Sequence, residues 1–310
     1  LNQKPVIYRK CVFCINTITF KANFYFNIMS DTVSNIVSDT MTDTVNNTVD
    51  CSKNETSKAK KFVVVQKEWD EEDDKELHDY LRETYPTYRI FSKDEILELD
   101  PDSIVALFCD TSIFQQYLRE NNVYEMFETY PTSLEMFYKR NIKTIKATDL
   151  TNTNVTGDFN YFVKPVTNDK SFNGTLITSA FERDYIIEKI EESAKTLDVY
   201  IYHCEEVKFV NEYRVFVVDG VSLGIADSTE FLIDEKDRRN VTPPDSFVDE
   251  VLKNLQYSHC VVDIAMKDNG EWCVIEVNPP YATMSYGFPI DKYFEFCKKS
   301  WDYLVSRRIK

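Results

Sequence analysis

The residues best suited to chemistry lie in one stretch, CVVDIAMKDNGEWCVIEVNPPY, from Cys260 to Tyr281. Two apolar runs, Cys260 to Met266 and Trp272 to Val277, flank Lys267-Asp268-Asn269-Gly270. Asn-Gly between such runs is a strong hairpin signal. Each run carries one acid where a buried strand should be apolar, Asp263 in the first and Glu276 in the second. Folding the hairpin draws the two acids together. Asn278 follows Glu276 on the same strand face, because side chains alternate along a strand. Two carboxylates and an amide oxygen beside an apolar sheet are costly unless something positive sits among them. A hard cation such as Mg2+, held by one or two carboxylates plus substrate phosphates, is the simplest candidate; a buried structural salt bridge is the plainer alternative for either acid alone.

Upstream, YFVKPV at 161–166 reads as a strand stopped by Pro165, with Lys164 near its end. The polar loop Thr167 to Gly174 then returns into the strand TLITSA. A lysine on a rigid strand beneath a polar loop suits a phosphate, although a strand-end lysine often only lays its stem on apolar surface. Glu205, Glu206, Lys208 and Glu212 surround a short crossing between expected strands at Tyr200 to Tyr202 and Val207 to Phe209. Exposed backbone there could pair with a planar base and a carboxylate could hold ribose hydroxyls; the alternative is a solvated charged turn. Arg214 alternates with Val215 and Val217 and shares the face of Glu212, where it could equally pair a neighbouring acid.

Strands and helices must position these groups. The pattern predicts a strand FVVVQ after Lys61, an acidic helix within Glu68 to Glu83, and a strand at Tyr88 to Phe91. A helix at Lys93 to Leu99, the strand run SIVALFCD and a helix at Thr111 to Asn121 come next, and this alternation implies a small α/β unit with a partly parallel sheet. Tyr130-Pro131-Thr132-Ser133 marks a boundary and a helix start over SLEMFYKR. Further on come a strand at Asn141 to Ile145, a helix at Arg183 to Lys195, a hairpin about Asp219-Gly220, a helix at 245–256 and a closing helix at Asp291 to Ser306. Residues 1–60 read as a mobile leader and tail, rich in Ser, Thr, Asn and Asp after residue 29, with Met29 as a plausible natural start.

The 310 residues carry 43% hydrophobic side chains, enough for a large core, and a formal charge of -16. That charge argues against nucleic-acid or anionic-membrane partners, which need a basic surface. Eight scattered cysteines point to a reducing, cytoplasmic setting. Cys11-x-x-Cys14 lacks a second pair or nearby His and does not read as a zinc site.

Taken in order, FVKP with its loop through SFNG, then EEVKFVNEYRVFVVDG, then VVDIA followed by VIEVNP resemble the ATP-grasp superfamily. The likeness is closest to the glutamate ligases that modify ribosomal protein and related phage and large-virus proteins. The resemblance implies an α+β ATP-grasp fold, two α+β subdomains clasping ATP over 131–310, preceded by a small α/β pre-grasp domain over 61–130. It implies an ATP- and Mg2+-dependent ligase joining a carboxylate to an amine, small molecule or peptide, through an acyl phosphate; a non-catalytic ATP-binding module or a phosphotransferase are the alternatives. Lys164 would contact the α-phosphate and the adenine side of ATP, and the 167–174 loop the β- and γ-phosphates. Glu205 and the backbone at Val207 and Lys208 would read adenine, and Glu212 the ribose. Asp263, Glu276 and Asn278 would bind Mg2+, with Arg214 at the γ-phosphate or the acyl phosphate. Arg140, Lys143 and Lys146 compete for a further basic position before the first grasp strand, and Arg140 is favoured. Arg238, Arg239 and the Tyr281 to Phe288 loop are placed to meet substrate. Two features depart from the family pattern: the lid has one glycine, and Ala265-Met266 stands where an arginine is often found.

Overall fold

The computed structural model describes residues 61–67, 75–85, 87–123, 127–167, 171–281 and 283–309. The expected tail over 1–60, Cys11-x-x-Cys14, the start of the acidic helix and the middle of the 167–174 loop lie outside the described residues. By its contacts the chain divides into Leu1–Thr56 and Ser57–Lys310.

Among the described residues, three sheets carry the second of these units. In the first sheet, β1 (Phe62–Gln66) lies between β2 (Arg89–Phe91) and β3 (Ile104–Phe108), all parallel. Val63, Val64 and Val65 have no exposed surface, the continuous apolar run of a strand covered on both faces. Helices α1 (Lys75–Thr84), α2 (Lys93–Leu97) and α3 (Thr111–Glu120) alternate with these strands. Helix α2 starts at a reciprocal capping box in which the Ser92 hydroxyl accepts from the Glu95 N–H and the Glu95 carboxylate accepts from the Ser92 N–H.

After a turn from Pro131, α4 (Glu135–Tyr138) is a single turn rather than the longer helix that SLEMFYKR predicts. Lys139 takes a left-handed conformation, φ 51°, which ends it. Strand β4 (Ile142–Lys146), the short α5 (Thr153–Thr156), β5 (Tyr161–Pro165), β6 (Thr175–Ile177), α6 (Ala180–Ala194) and β7 (Tyr200–Glu205) build the second sheet, antiparallel in the order β4-β7-β5-β6. Ile145, Val163, Ile177 and Ile201 bury one face against Ile186 and Ile190 of α6. Thr144, Tyr202 and Lys164 stand in cross-strand register on the other face.

The third sheet has the order β11-β10-β8-β9. Strand β8 (Phe209–Val218) is one long strand where the sequence predicts two short ones, and Val207 lies outside it. It turns at Asp219-Gly220 into β9 (Val221–Asp227); φ values of 54° and 77° at the turn are those a two-residue hairpin requires. Two helices, α7 (Thr229–Leu232) and α8 (Asp245–Asn254), precede the hairpin of β10 (Cys260–Lys267) and β11 (Trp272–Asn278). Val215, Val217, Val262, Ile264, Val274 and Val277 bury the sheet's apolar face against Phe137, Val248 and Val251.

The final helix α9 (Ile290–Ser306) fills the gap between the first and third sheets. Phe294 and Phe296 join the core that holds Val63, Phe108 and Phe216, whereas Trp301 and Leu304 pack with Ile113 and Tyr117. No described helix is long and apolar enough to cross a membrane.

Candidate functional site

The polar face of the third sheet is set by register. Asp263 on the central strand β10 pairs with Arg214 on β8 and with Glu276 on β11. Glu212 and Asn278, two residues away along their strands, share that face. Asp263 is only 3% exposed. Arg214 donates to it twice, Nε to Oδ1 at 2.8 Å and Nη2 to Oδ2 at 2.9 Å. This fork geometry gives the strong, planar form of ion pair. Asn278 Nδ2 donates to Asp263 Oδ2 at 2.8 Å and to Glu276 Oε1 at 3.1 Å, so one amide ties both carboxylates together.

The second sheet supplies the other cation. Lys164 Nζ donates to Glu276 Oε2, and its ammonium lies 5.6 Å from the centre of the Tyr130 ring. Lysine and carboxylate side chains are 17% and 22% exposed, so the pair is largely buried but keeps some contact with solvent. Five of the sequence-predicted residues, Lys164, Arg214, Asp263, Glu276 and Asn278, are thus joined in one chain of charge-assisted bonds.

Charge tuning arises from this crowding. Burial would push the Glu276 carboxyl up, but the Lys164 ammonium and the Asn278 amide outweigh it and hold the group below its ordinary value. Glu212 is pushed up to about 8, by burial first and then by the negative charge of Asp263, against the pull of Arg214. At neutral pH it therefore carries a proton and can donate as well as accept. Burial would lower the Arg214 pKa, but the attached Asp263 raises it further, so the guanidinium stays charged.

Arg140 meets a different need. The β10–β11 register shifts between Asp263 and Ile264, because Glu276 and Val274 face consecutive residues and Ile275 bulges out. Arg140 reads that bulge: Nη1 donates to the Val274 carbonyl at 2.8 Å and Nη2 to the Ile275 carbonyl at 2.5 Å. Its guanidinium also lies 5.8 Å from the Tyr130 ring centre, so Arg140 and Lys164 share the same ring. Of the competing basic residues, Lys143 points to the opposite face of β4, and Lys146 is bound to Asp198 at 2.6 Å.

The expected base-reading segment is arranged differently from a free edge. The Glu205 carboxylate accepts from the Asn141 N–H at 2.9 Å, and the Asn141 carbonyl accepts from the Glu205 N–H at 2.8 Å. Lys208 Nζ binds Asp237 at 2.7 Å, and its carbonyl accepts from the Asp268 N–H at 3.0 Å. Arg238 and Arg239 donate to the carbonyls of Ile233, Glu230 and Asp268, which makes them ties between loops.

One participant escaped sequence reasoning: Tyr130 was legible only as the residue before a Pro turn, although it underlies both Lys164 and Arg140. Tyr286, whose ring centre lies 4.5 Å from the Arg214 guanidinium, belongs to the Tyr281 to Phe288 loop expected to meet substrate, in which no single residue stood out.

The donors fit a hard cation in kind: two carboxylates and one amide meet at a point, and a half-turn of the Asn278 amide presents its oxygen. Among the described residues no cluster of three His, Cys, Asp or Glu side chains is gathered, so a cation here would need the Asn278 oxygen beside the two carboxylates.

Among solved structures the chain is similar to the D-cycloserine synthetase DcsG, with a TM-score of 0.51, 13% identity and coverage of 78% of this chain and 98% of that one. It is also similar to a D-alanine–D-alanine ligase from Bacillus anthracis complexed with ATP, at TM-score 0.47 and 14% identity over 80% of this chain and 99% of that one. A third is the ATP-grasp ligase PsnB complexed with minimal precursor, at TM-score 0.41 and 14% identity over 80% and 99%. At these identities the likeness to DcsG concerns the fold. No curated protein matches the chain. The family model described as an ATP-grasp domain, R-2-K clade family 2, matches residues 137–296, just over half of the chain. The chain belongs to the ATP-grasp family, and its α+β architecture is the ATP-grasp fold.

Proposed function

We propose that the protein is an ATP- and Mg2+-dependent ligase that joins a carboxylate to an amine. The supporting observation is the bonded chain Lys164, Glu276, Asn278, Asp263, Arg214, which gathers two cations and a three-oxygen donor set where two sheets meet. Membership of the ATP-grasp family agrees with this reading.

On this basis residues 61–130 form the pre-grasp domain and 131–310 the grasp, working in the cytoplasm. Lys164 binds the α-phosphate, and the 167–174 loop closes over the β- and γ-phosphates. Glu205 and the backbone of Val207 and Lys208 receive adenine at the rim, with Arg140 bracing the floor of the same cleft. Protonated Glu212 suits a ribose hydroxyl, which both donates and accepts. Asp263, Glu276 and Asn278 would hold Mg2+, which supplies neutralising charge at the phosphates when bound.

A carboxylate oxygen of the substrate attacks the γ-phosphorus and the bond to the ADP oxygen breaks, giving an acyl phosphate and ADP. The amine nitrogen then attacks the acyl carbon, phosphate leaves with the C–O bonding pair, and the nitrogen gives up a proton to yield the amide. Arg214 steadies the charge on the transferring phosphoryl group, so the protein contributes positioning and electrostatics and no side-chain nucleophile. The test is ADP release in a panel of acids and amines with Mg2+ and ATP. Release that needs both an acid and an amine, with amide found by mass spectrometry, supports ligation. Release of ADP with a stable acyl phosphate and no amide would show a phosphotransferase, and nucleotide binding without turnover a binding module.

A further inference from the structure

Arg214 has one nitrogen that the ion pair does not use. Its Nε and Nη2 are taken by Asp263, whereas Nη1 has only a long 3.4 Å contact with the Met284 carbonyl. Around that nitrogen the surface turns apolar. Tyr286 lies against the guanidinium at 4.5 Å, and Phe231, from the helical turn after β9, packs on Tyr286 with ring centres 5.5 Å apart. Phe231 is 56% exposed and Met284 43%, and both belong to segments that reach the cation, Met284 through its carbonyl and Phe231 through the Tyr286 ring. Tyr286 holds φ 48°, a left-handed conformation that a bulky side chain adopts only when its surroundings impose it. An exposed aromatic ring set beside a charged guanidinium is the kind of surface that marks binding.

We propose that the carboxylate substrate is an acid with an apolar tail, its carboxylate on Arg214 Nη1 and its tail lying along Phe231, Tyr286 and Met284. This rests on the ligase reading for its placement beside the transferring phosphoryl group. The charge is complementary, because an anionic head meets the Nη1 donor while the tail covers the Phe231 ring, which otherwise faces solvent. A dicarboxylic acid would bring a second charge onto Phe231 and Met284. Arg238, the cation tied to the Phe231 turn, is engaged there on the carbonyls of Glu230 and Ile233.

The test is calorimetric titration of the full chain, with Mg2+ and a non-hydrolysable ATP analogue present, using 3-phenylpropionate, propionate, succinate and a short peptide ending in Phe. We expect 3-phenylpropionate to bind at least about tenfold tighter than succinate or propionate, and Phe231→Ser to bring the acids to parity with the affinity for the analogue unchanged. The peptide arm separates two sources of the same chemistry: tighter binding of the peptide than of 3-phenylpropionate assigns the tail to a chain terminus, and the reverse order to a free acid. Equal binding of all four, tighter binding of succinate, no binding of any of them, or an undiminished preference in Phe231→Ser overturns the proposal. ADP release measured separately keeps the two readings apart. A preference that persists without turnover for any amine retains the apolar rim and rejects ligation, whereas turnover indifferent to the tail retains ligation and rejects the rim.

Discussion

Arg214 and Asp263 are direct cross-strand neighbours on β8 and β10, joined by two parallel bonds with the carboxylate side chain 4% exposed. Removing one partner strands the other in a site with little water, which costs about 3–5 kcal/mol for a buried pair. Asp263→Ala should therefore lose about that much stability in urea unfolding. A loss under about 1 kcal/mol would mean the pair is solvated in solution as exposed pairs are.

Glu212 gives a pH signature. Its folded pKa, raised to about 8 from an ordinary 4.5, means the folded protein keeps a proton that the unfolded chain has released. The stability this proton brings is full below about pH 4.5 and is lost as pH rises to about 8, beyond which the loss is complete. Glu212→Gln removes the titration, so the variant should gain on the wild type steadily between those values. A constant difference across that window would show that Glu212 titrates normally.

Arg140 holds two carbonyls at the β11 bulge with a planar fork that a lysine cannot reproduce. Arg140→Lys should cost about 1.5–3 kcal/mol, the worth of a hydrogen bond to a charged group. It should also speed amide exchange at Val274 to Glu276, seen by hydrogen exchange. Unchanged stability and exchange would place its role in the ligand alone.

Much of this site could be read from the chain. The β10–β11 hairpin, with Asp263, Glu276 and Asn278 on one face, comes from alternation and an Asn-Gly turn. Lys164 on its strand comes from an apolar run halted by Pro165. What could not be read is long-range register. Nothing local says that Arg214 pairs Asp263, 49 positions away, or that Lys164 reaches Glu276 across 112. The Ile275 bulge left no mark either, since a single slipped residue is invisible to a period of two, and so the place of Arg140 on carbonyls was hidden. The strand expected at Tyr200 to Tyr202 is there within β7, but the short one at Val207 to Phe209 and the one beginning at Glu212 are a single strand, β8. Glu212 and Arg214 broke its apolar pattern because they serve the polar face of the sheet.

The ligase reading stands on Lys164, Glu276 and their neighbours forming one Mg2+-dependent ATP site. Its most direct test is calorimetric titration of ATP into wild-type protein and Glu276→Gln, each with and without Mg2+. Losing one charged contact, worth about 1.5–3 kcal/mol, corresponds to about 10–100-fold in affinity. The wild type should bind ATP more tightly with Mg2+, and Glu276→Gln should lose about 10–100-fold of that affinity with Mg2+ present and little without it. Equal affinity in the two proteins with Mg2+, or no ATP binding by the wild type, would contradict it.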